Sequence, residues 1–97
     1  MTVTIIANLE VKPDRVEQVE TEMRENFSDT RAFEGCKGLD VYRNQETVTS
    51  IVLYQQWESK AQYQKYLRWR TESGFFGRLA ENLSEPPSIR YYDHIDV

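Results

Sequence analysis

The chain opens on Val3-Thr4-Ile5-Ile6-Ala7-Asn8-Leu9-Glu10-Val11, in which every odd position is apolar. That two-residue period is the mark of a strand lying on a core. The even positions, Thr4, Ile6, Asn8 and Glu10, run from apolar to polar, so the second face covers something other than bulk water. Lys12-Pro13-Asp14 ends the strand. Proline suits a first helical turn, and Asp14 and Glu17 suit the positive end of a helix dipole. Val16, Val19, Met23 and Phe27 then recur at helical spacing as one stripe. Six acids and two arginines between Asp14 and Asp29 form the solvated face of that helix.

Gly35 and Gly38 punctuate a turn around Cys36. Residues 38–44 read as a second strand, Gln45-Glu46 as a reversal, and residues 48–57 as a third strand rich in β-branched and aromatic side chains. Ile51, Leu53 and Trp57 fall on one face of it, and Val48, Val52 and Tyr54 on the other. Apolar groups on both faces in so short a chain point to a second subunit that covers one of them. Ser59-Lys60-Ala61-Gln62 has the spacing of a capping box. A helix follows through Tyr63, Tyr66, Leu67 and Arg70, and Gly74 breaks it. Phe75, Phe76, Leu79, Ala80 and Leu83 make a shorter amphipathic helix that Pro86-Pro87 stops, and residues 88–95 read as the last strand. The order β-α-β-β-α-(α)-β predicts an α+β fold of the ferredoxin-like, split βαβ kind, an antiparallel sheet with helices on one face.

At 97 residues, without repeat or linker, the chain forms a single domain over residues 1–97. Twelve basic against sixteen acidic residues leave a net charge of −4, which argues against nucleic acid or an anionic membrane as partner. The longest apolar run, Ile51-Val52-Leu53-Tyr54, is far shorter than the ~20 residues that span a bilayer. The single cysteine cannot form an internal disulfide, and no charged-then-apolar leader precedes Thr2-Val3-Thr4-Ile5. A reducing cytoplasm is the expected location.

Catalytic signatures are sparse. Gly74-Phe75-Phe76-Gly77 has neither the spacing nor the preceding strand of a phosphate loop. One His and one Cys make no metal site, and there is no Gly-x-Ser-x-Gly elbow. What remains is aromatic. Nine of the twelve aromatic residues lie between Tyr54 and Tyr92, and the stretch from Lys60 to Arg70 among them carries Lys60, Lys65, Arg68 and Arg70 and no acid. Aromatic walls beside cations suit a flat, electron-rich or anionic ligand, although the same side chains also fill cores and interfaces. Asn8 needs a polar partner, either a neighbouring loop or a ligand in a cavity. Trp57, at the end of its strand, reads first as a core anchor, His94 as a surface residue, and Cys36 has no base beside it.

Three segments resemble the antibiotic biosynthesis monooxygenase family. They are Ile51-Val52-Leu53-Tyr54-Gln55-Gln56-Trp57-Glu58-Ser59-Lys60, the loop and strand from Phe33-Glu34-Gly35-Cys36 to Arg43, and Ile6-Ala7-Asn8-Leu9-Glu10-Val11-Lys12-Pro13. The resemblance covers nearly the whole chain in the right order. It implies a dimeric α/β barrel, a homodimer of two ferredoxin-like subunits joined through their sheets. It also implies, as the usual activity, a cofactor-free oxygenation of quinols, anthrones and related phenolics. Haem-degrading members and an isomerase also belong to it. Asn8 matches the first-strand Asn that haem-degrading members use, and Trp57 matches a Trp that lines the cavity. Many quinol-oxidising members carry a His where this chain has Tyr66, and haem-degrading members need an axial His in the same region. Here no His occurs between Lys60 and Leu83.

The resulting expectation is a monooxygenase without cofactor or metal, acting with O2 on a small quinol-like or polyphenolic substrate. Asn8 would hold a substrate oxygen, Trp57 would form a wall, and Tyr66 with Arg70, or Arg68 in its place, would stabilise a phenolate. Tyr63, Phe76 and Tyr91 would complete the binding surface. Asn8 and Trp57 would face one cavity, between the sheet and the helices of Tyr66 and Phe76. Two other readings stand beside it: a non-catalytic dimeric ligand-binding or stress-associated protein of the same fold, and haem binding or degradation.

Overall fold

The computed structural model describes residues 2–97 as four strands and three helices. They are β1 (Val3–Glu10), α1 (Val16–Ala32), β2 (Cys36–Arg43), β3 (Ser50–Trp57), α2 (Lys60–Glu72), α3 (Phe75–Ala80) and β4 (Ser88–Tyr92). The strands lie in the order β2-β3-β1-β4 and every neighbouring pair is antiparallel. This is the expected ferredoxin-like α+β arrangement. β1 lies at the centre, with Ala7 opposite Leu53 of β3 on one side and Ile89 of β4 on the other.

The alternation in β1 is realised in full. Val3, Ile5, Ala7 and Leu9 are buried beneath the helices, and Thr4, Ile6, Asn8 and Glu10 are half-buried on the opposite face. β3 turns Ile51, Leu53, Gln55 and Trp57 toward the same helices. The stripe of α1 meets them with Val19, Met23 and Phe27 and continues one turn further to Thr30, which is also buried. The core falls into two clusters. One surrounds Leu9, Phe27, Leu53 and Phe75, and the other Ile5, Trp57, Tyr63 and Tyr66.

Several boundaries differ from those read in the sequence. Pro13 and Asp14 form a turn, closed by Arg15 N–H donating to Lys12 O at 2.9 Å, so α1 starts at Val16 rather than at the proline. Proline presets the second position of a turn as readily as a first helical residue. Val48 belongs to the reversal and not to β3. Asn44 Oδ1 accepts from the N–H groups of Glu46 and Thr47, both at 2.8 Å, and that turn leaves Val48 exposed. β2 starts two residues early, at Cys36, with an irregular register between Cys36 and Gly38. β4 stops at Tyr92, so His94 and Ile95 lie beyond it. The cap of α2 is half of the expected box. Ser59 Oγ accepts from Gln62 N–H at 3.1 Å, but the Gln62 side chain lies against Gly35 instead of reaching back. No described helix is long and apolar enough to cross a membrane.

Candidate functional site

Ala7 is the small residue on the covered face of β1. Between Ile5 and Leu9 it leaves space that the neighbouring side chains do not fill. A cavity of about 270 Å³ opens there, between the sheet and all three helices. Ala7, Leu9, Leu39, Leu53, Gln55 and Ile89 form the floor from all four strands. Phe27 and Thr30 come from α1, Tyr63 and Tyr66 from α2, and Phe75, Phe76, Leu79 and Ala80 from α3. Leu83 and Pro87 close the end. The lining is overwhelmingly apolar, with a few polar side chains to orient a ligand, as in most small-molecule sites.

Two of those polar groups are tied together. Thr30 Oγ1 and Tyr66 Oη lie 2.7 Å apart. Arg70 sits behind them and is 3% exposed. Its Nε donates to Tyr66 Oη at 3.0 Å, and its Nη2 donates at 2.8 Å to both Thr30 Oγ1 and Asn26 O. The guanidinium stands over the rings of Trp69 and Phe75, each 4.5 Å from the centroid. The spacing Tyr66–Arg70 is one helical turn, which brings both side chains to the same face of α2.

The second polar pair is Gln55 and Tyr63. Gln55 is a buried amide at an inward position of β3, and its Oε1 accepts the indole N–H of Trp57 at 3.0 Å. The Tyr63 hydroxyl is held well above its ordinary range, first by burial and then by the neighbouring Tyr91 and Tyr66; Gln55 acts the other way. Tyr63 is thus a neutral donor and acceptor at physiological pH, not a base. Trp57 is fully buried, its ring 5.0 Å from that of Tyr66 and 5.5 Å from that of Tyr63.

The sequence profile of antibiotic biosynthesis monooxygenases matches residues 2–76, which include β1, α1, β2, β3, α2 and the start of α3. The chain belongs to the antibiotic biosynthesis monooxygenase family. Crystal structures with the same fold include a conserved protein from Methanosarcina mazei, 22% identical, with a TM-score of 0.87 over 95% of this chain and 91% of that one. A protein crystallised as an antibiotic biosynthesis monooxygenase is 17% identical, with a TM-score of 0.88 over 97% and 99%. A Pseudomonas aeruginosa protein is 24% identical, with a TM-score of 0.80 over 98% and 95%. No curated protein sequence matches the chain.

Within this family member the residues singled out in the sequence divide. Tyr63, Tyr66 and Phe76 line the cavity. Arg70 backs it without lining it, acting through Tyr66 and Thr30. Trp57 is a layer further in, behind the two tyrosines, so it supports the wall and does not form it. Tyr91 packs edge-on against Tyr63, with ring centroids 5.9 Å apart, and faces a shallow depression beside Lys60. Asn8 departs from expectation altogether. Its even position in β1 points it to the uncovered face of the sheet, among Ile6, Glu10, Ser88 and Arg90. Asn8 and Trp57 therefore share no cavity. Arg68 is exposed, and burial raises the Cys36 thiol above its ordinary range with no base beside it.

Thr30, Gln55 and Ala7 are the site residues that pattern reading missed. Each had a signal: Thr30 continues the α1 stripe by three residues, Gln55 is polar at an inward position of β3, and Ala7 is small between two large residues. The wall does not fit haem. It offers no His, Cys or Met as an axial ligand, the Tyr66 oxygen is already engaged by Thr30 and Arg70, and burial keeps the Tyr63 hydroxyl protonated.

Proposed function

We propose that this protein is a cofactor-independent monooxygenase that oxidises a small, flat, quinol-like or polyphenolic substrate with O2. The observation that carries the reading is the cavity itself: it lies between the sheet and the helices, is aromatic and apolar in its lining, and counts the hydrogen-bonded Thr30 and Tyr66 among its wall residues. Its volume of about 270 Å³ is at the small end of ligand pockets, which suits one compact ring system. Membership in the family supports a monooxygenase-like role.

The reaction requires little machinery. In a quinol one ring C–H becomes C–OH while the two hydroxyl-bearing carbons become carbonyls: one atom of O2 enters the new hydroxyl and the other leaves as water. The electrons come from the substrate, which is a competent donor once its hydroxyl is ionised. No imidazole lines the cavity to remove that proton, and Tyr63, kept protonated by burial, is not available as a base. The protein's share is to hold the ionised substrate away from bulk water, with its charge facing the hydroxyls that Arg70 polarises.

The uncovered sheet face supports a homodimer. Ile6, Tyr42, Val52 and Tyr54 alternate there with polar groups, and Tyr42 and Tyr54 are exposed in the single subunit. A partner sheet laid on this face would cover them. A single unpaired cysteine is compatible with the reducing cytoplasm.

The test is oxygen uptake with a series of quinols and anthrones, without added metal or flavin. Turnover of at least one is expected, together with its loss in Ala7→Leu, which fills the cavity from the floor while circular dichroism stays unchanged. No uptake with any phenol, or undiminished uptake in folded Ala7→Leu, would overturn the reading.

A further inference from the structure

A second concave feature, a groove of about 310 Å³, runs between α1 and the edge strand β2. Met23, Phe27, Val41 and Ile51 give it an apolar lining, and Arg24, Arg31 and Arg43 stand along it with a single acid, Glu20. Arg24 and Arg43 share that one carboxylate. Arg31 spends its Nε on Leu39 O at 3.1 Å, and among the described residues it has no carboxylate within 4 Å. Positive charge therefore exceeds negative in this groove, in a chain whose net charge is −4.

The complement lies beyond β4. Asp93-His94-Ile95-Asp96-Val97 belongs to no strand or helix and is exposed throughout, with Ile95 73% exposed. Among the described residues neither Asp93 nor Asp96 has a cation within 4 Å. The lengths agree. Extended, this segment measures about 16 Å, and α1 rises about 16 Å from Glu20 to Arg31. Asp93 and Asp96 would stand about 10 Å apart along it, and Arg24 and Arg31 stand about 10 Å apart along α1.

The groove is out of reach of the same chain's own segment. Tyr92 pairs with Thr4, and Thr4 with Gln56. The groove lies at Ile51 and Arg43, five residues further along β3 and at the opposite edge of the sheet. Five residues along the strand and three strand spacings across put these corners roughly 22 Å apart. Residues 93–97 span at most about 17 Å.

We propose that the groove holds the Asp93–Val97 segment of a second copy of this chain, with Ile95 against the apolar lining and the two aspartates at the arginines. The two-fold symmetry of a homodimer makes the contact twice. The inference rests on the homodimer and not on the oxygenase activity.

The direct test is a disulfide between copies. With Cys36→Ser as background, a chain carrying Val41→Cys and Ile95→Cys should link under mild oxidation into a species of twice the chain mass on a non-reducing gel. Val48→Cys in place of Val41→Cys, in the exposed reversal before β3, should link more slowly. The second test is the dimer dissociation constant from sedimentation equilibrium. Arg24→Ala with Arg31→Ala should raise it about tenfold, and so should Asp93→Asn with Asp96→Asn, a pair of changes confined to the exposed segment. All four changes together should do little more than either pair, because charges that meet are not additive. A dimer that links no faster through Val41→Cys than through Val48→Cys, or that ignores either pair of changes, or in which the pairs add, overturns the proposal and leaves the sheet-face dimer standing. A groove built for a foreign anionic peptide or fatty acid would give that result, since the parent dimer would be indifferent to its own aspartates. A parent that stays single at every concentration overturns both.

Discussion

Gln55 joins the site to the core, since its Oε1 takes the indole proton of Trp57 and its side chain reaches the cavity wall. Replacing it with Leu keeps the volume but leaves a buried N–H without an acceptor. The cost should be about 1–3 kcal/mol, read from urea unfolding. Tyr63 gives a prediction in pH. Its hydroxyl stays protonated in the folded chain beyond the value of ~10 usual for the unfolded chain. Above pH ~10 the unfolded chain then releases a proton that the folded chain keeps, so stability falls as pH rises through that range. Tyr63→Phe should flatten this alkaline decline relative to the parent protein and leave the slope near pH 7 unchanged, as thermal melts across pH would show. How much of the site was readable from the sequence follows from parity. Tyr63 and Tyr66 were found because helical spacing places them beside each other on one face of α2. The family resemblance puts Asn8 in the cavity, but parity does not: an even residue in a strand whose odd residues are buried faces away from the helices. Helical spacing puts Arg70 on the same face of α2 as Tyr66, but not its depth behind the cavity wall, because helix phase says which side a residue is on and not how deep its tip lies.

Gly35 is where the joint before β2 depends on a single residue type. It sits at φ +93°, and a Cβ there would stand 2.7 Å from Gln62 Cβ on α2, with its own carbonyl accepting Glu58 N–H at 2.7 Å. Gly35→Ala should cost at least about 1–2 kcal/mol from the left-handed backbone alone, and more from the contact. Gly35→Ala combined with Gln62→Ala should recover the contact part only, which a comparison of denaturation midpoints separates. The elements themselves were largely evident in the sequence, because β1, α1 and β3 carry clean periods of two and near four. Their ends were not, because ends are decided by polar side chains that periodicity ignores. Asn44 pulled Val48 out of β3 by holding the reversal, and Pro13 set a turn instead of a helical residue. The contact of Gln62 with Gly35, twenty-seven positions apart, carries no local signature at all.

For the whole molecule, the uncovered sheet face is where the proposed dimer would form. Ile6 is at its centre, opposite Tyr54 on β3 and Arg90 on β4. Ile6→Asp would place an unpaired carboxylate in the middle of the proposed dimer interface. Sedimentation should show the parent at twice the 11.5 kDa chain mass and the variant at the chain mass, with the same circular dichroism. A parent that sediments as single chains at micromolar concentration would refute the dimer. The division of the core has a consequence for how the molecule melts. Phe76 packs against both clusters, and the cavity it lines touches both as well. Emptiness there is a fault line, along which the half around Trp57 and the half around Phe27 can loosen on separate schedules. A ligand seated in the gap would weld the halves, so occupancy would sharpen the calorimetric transition as well as raise its midpoint. The width of a heating curve would thus serve as a gauge of ligand fit, sensitive even to molecules that the protein holds but never transforms.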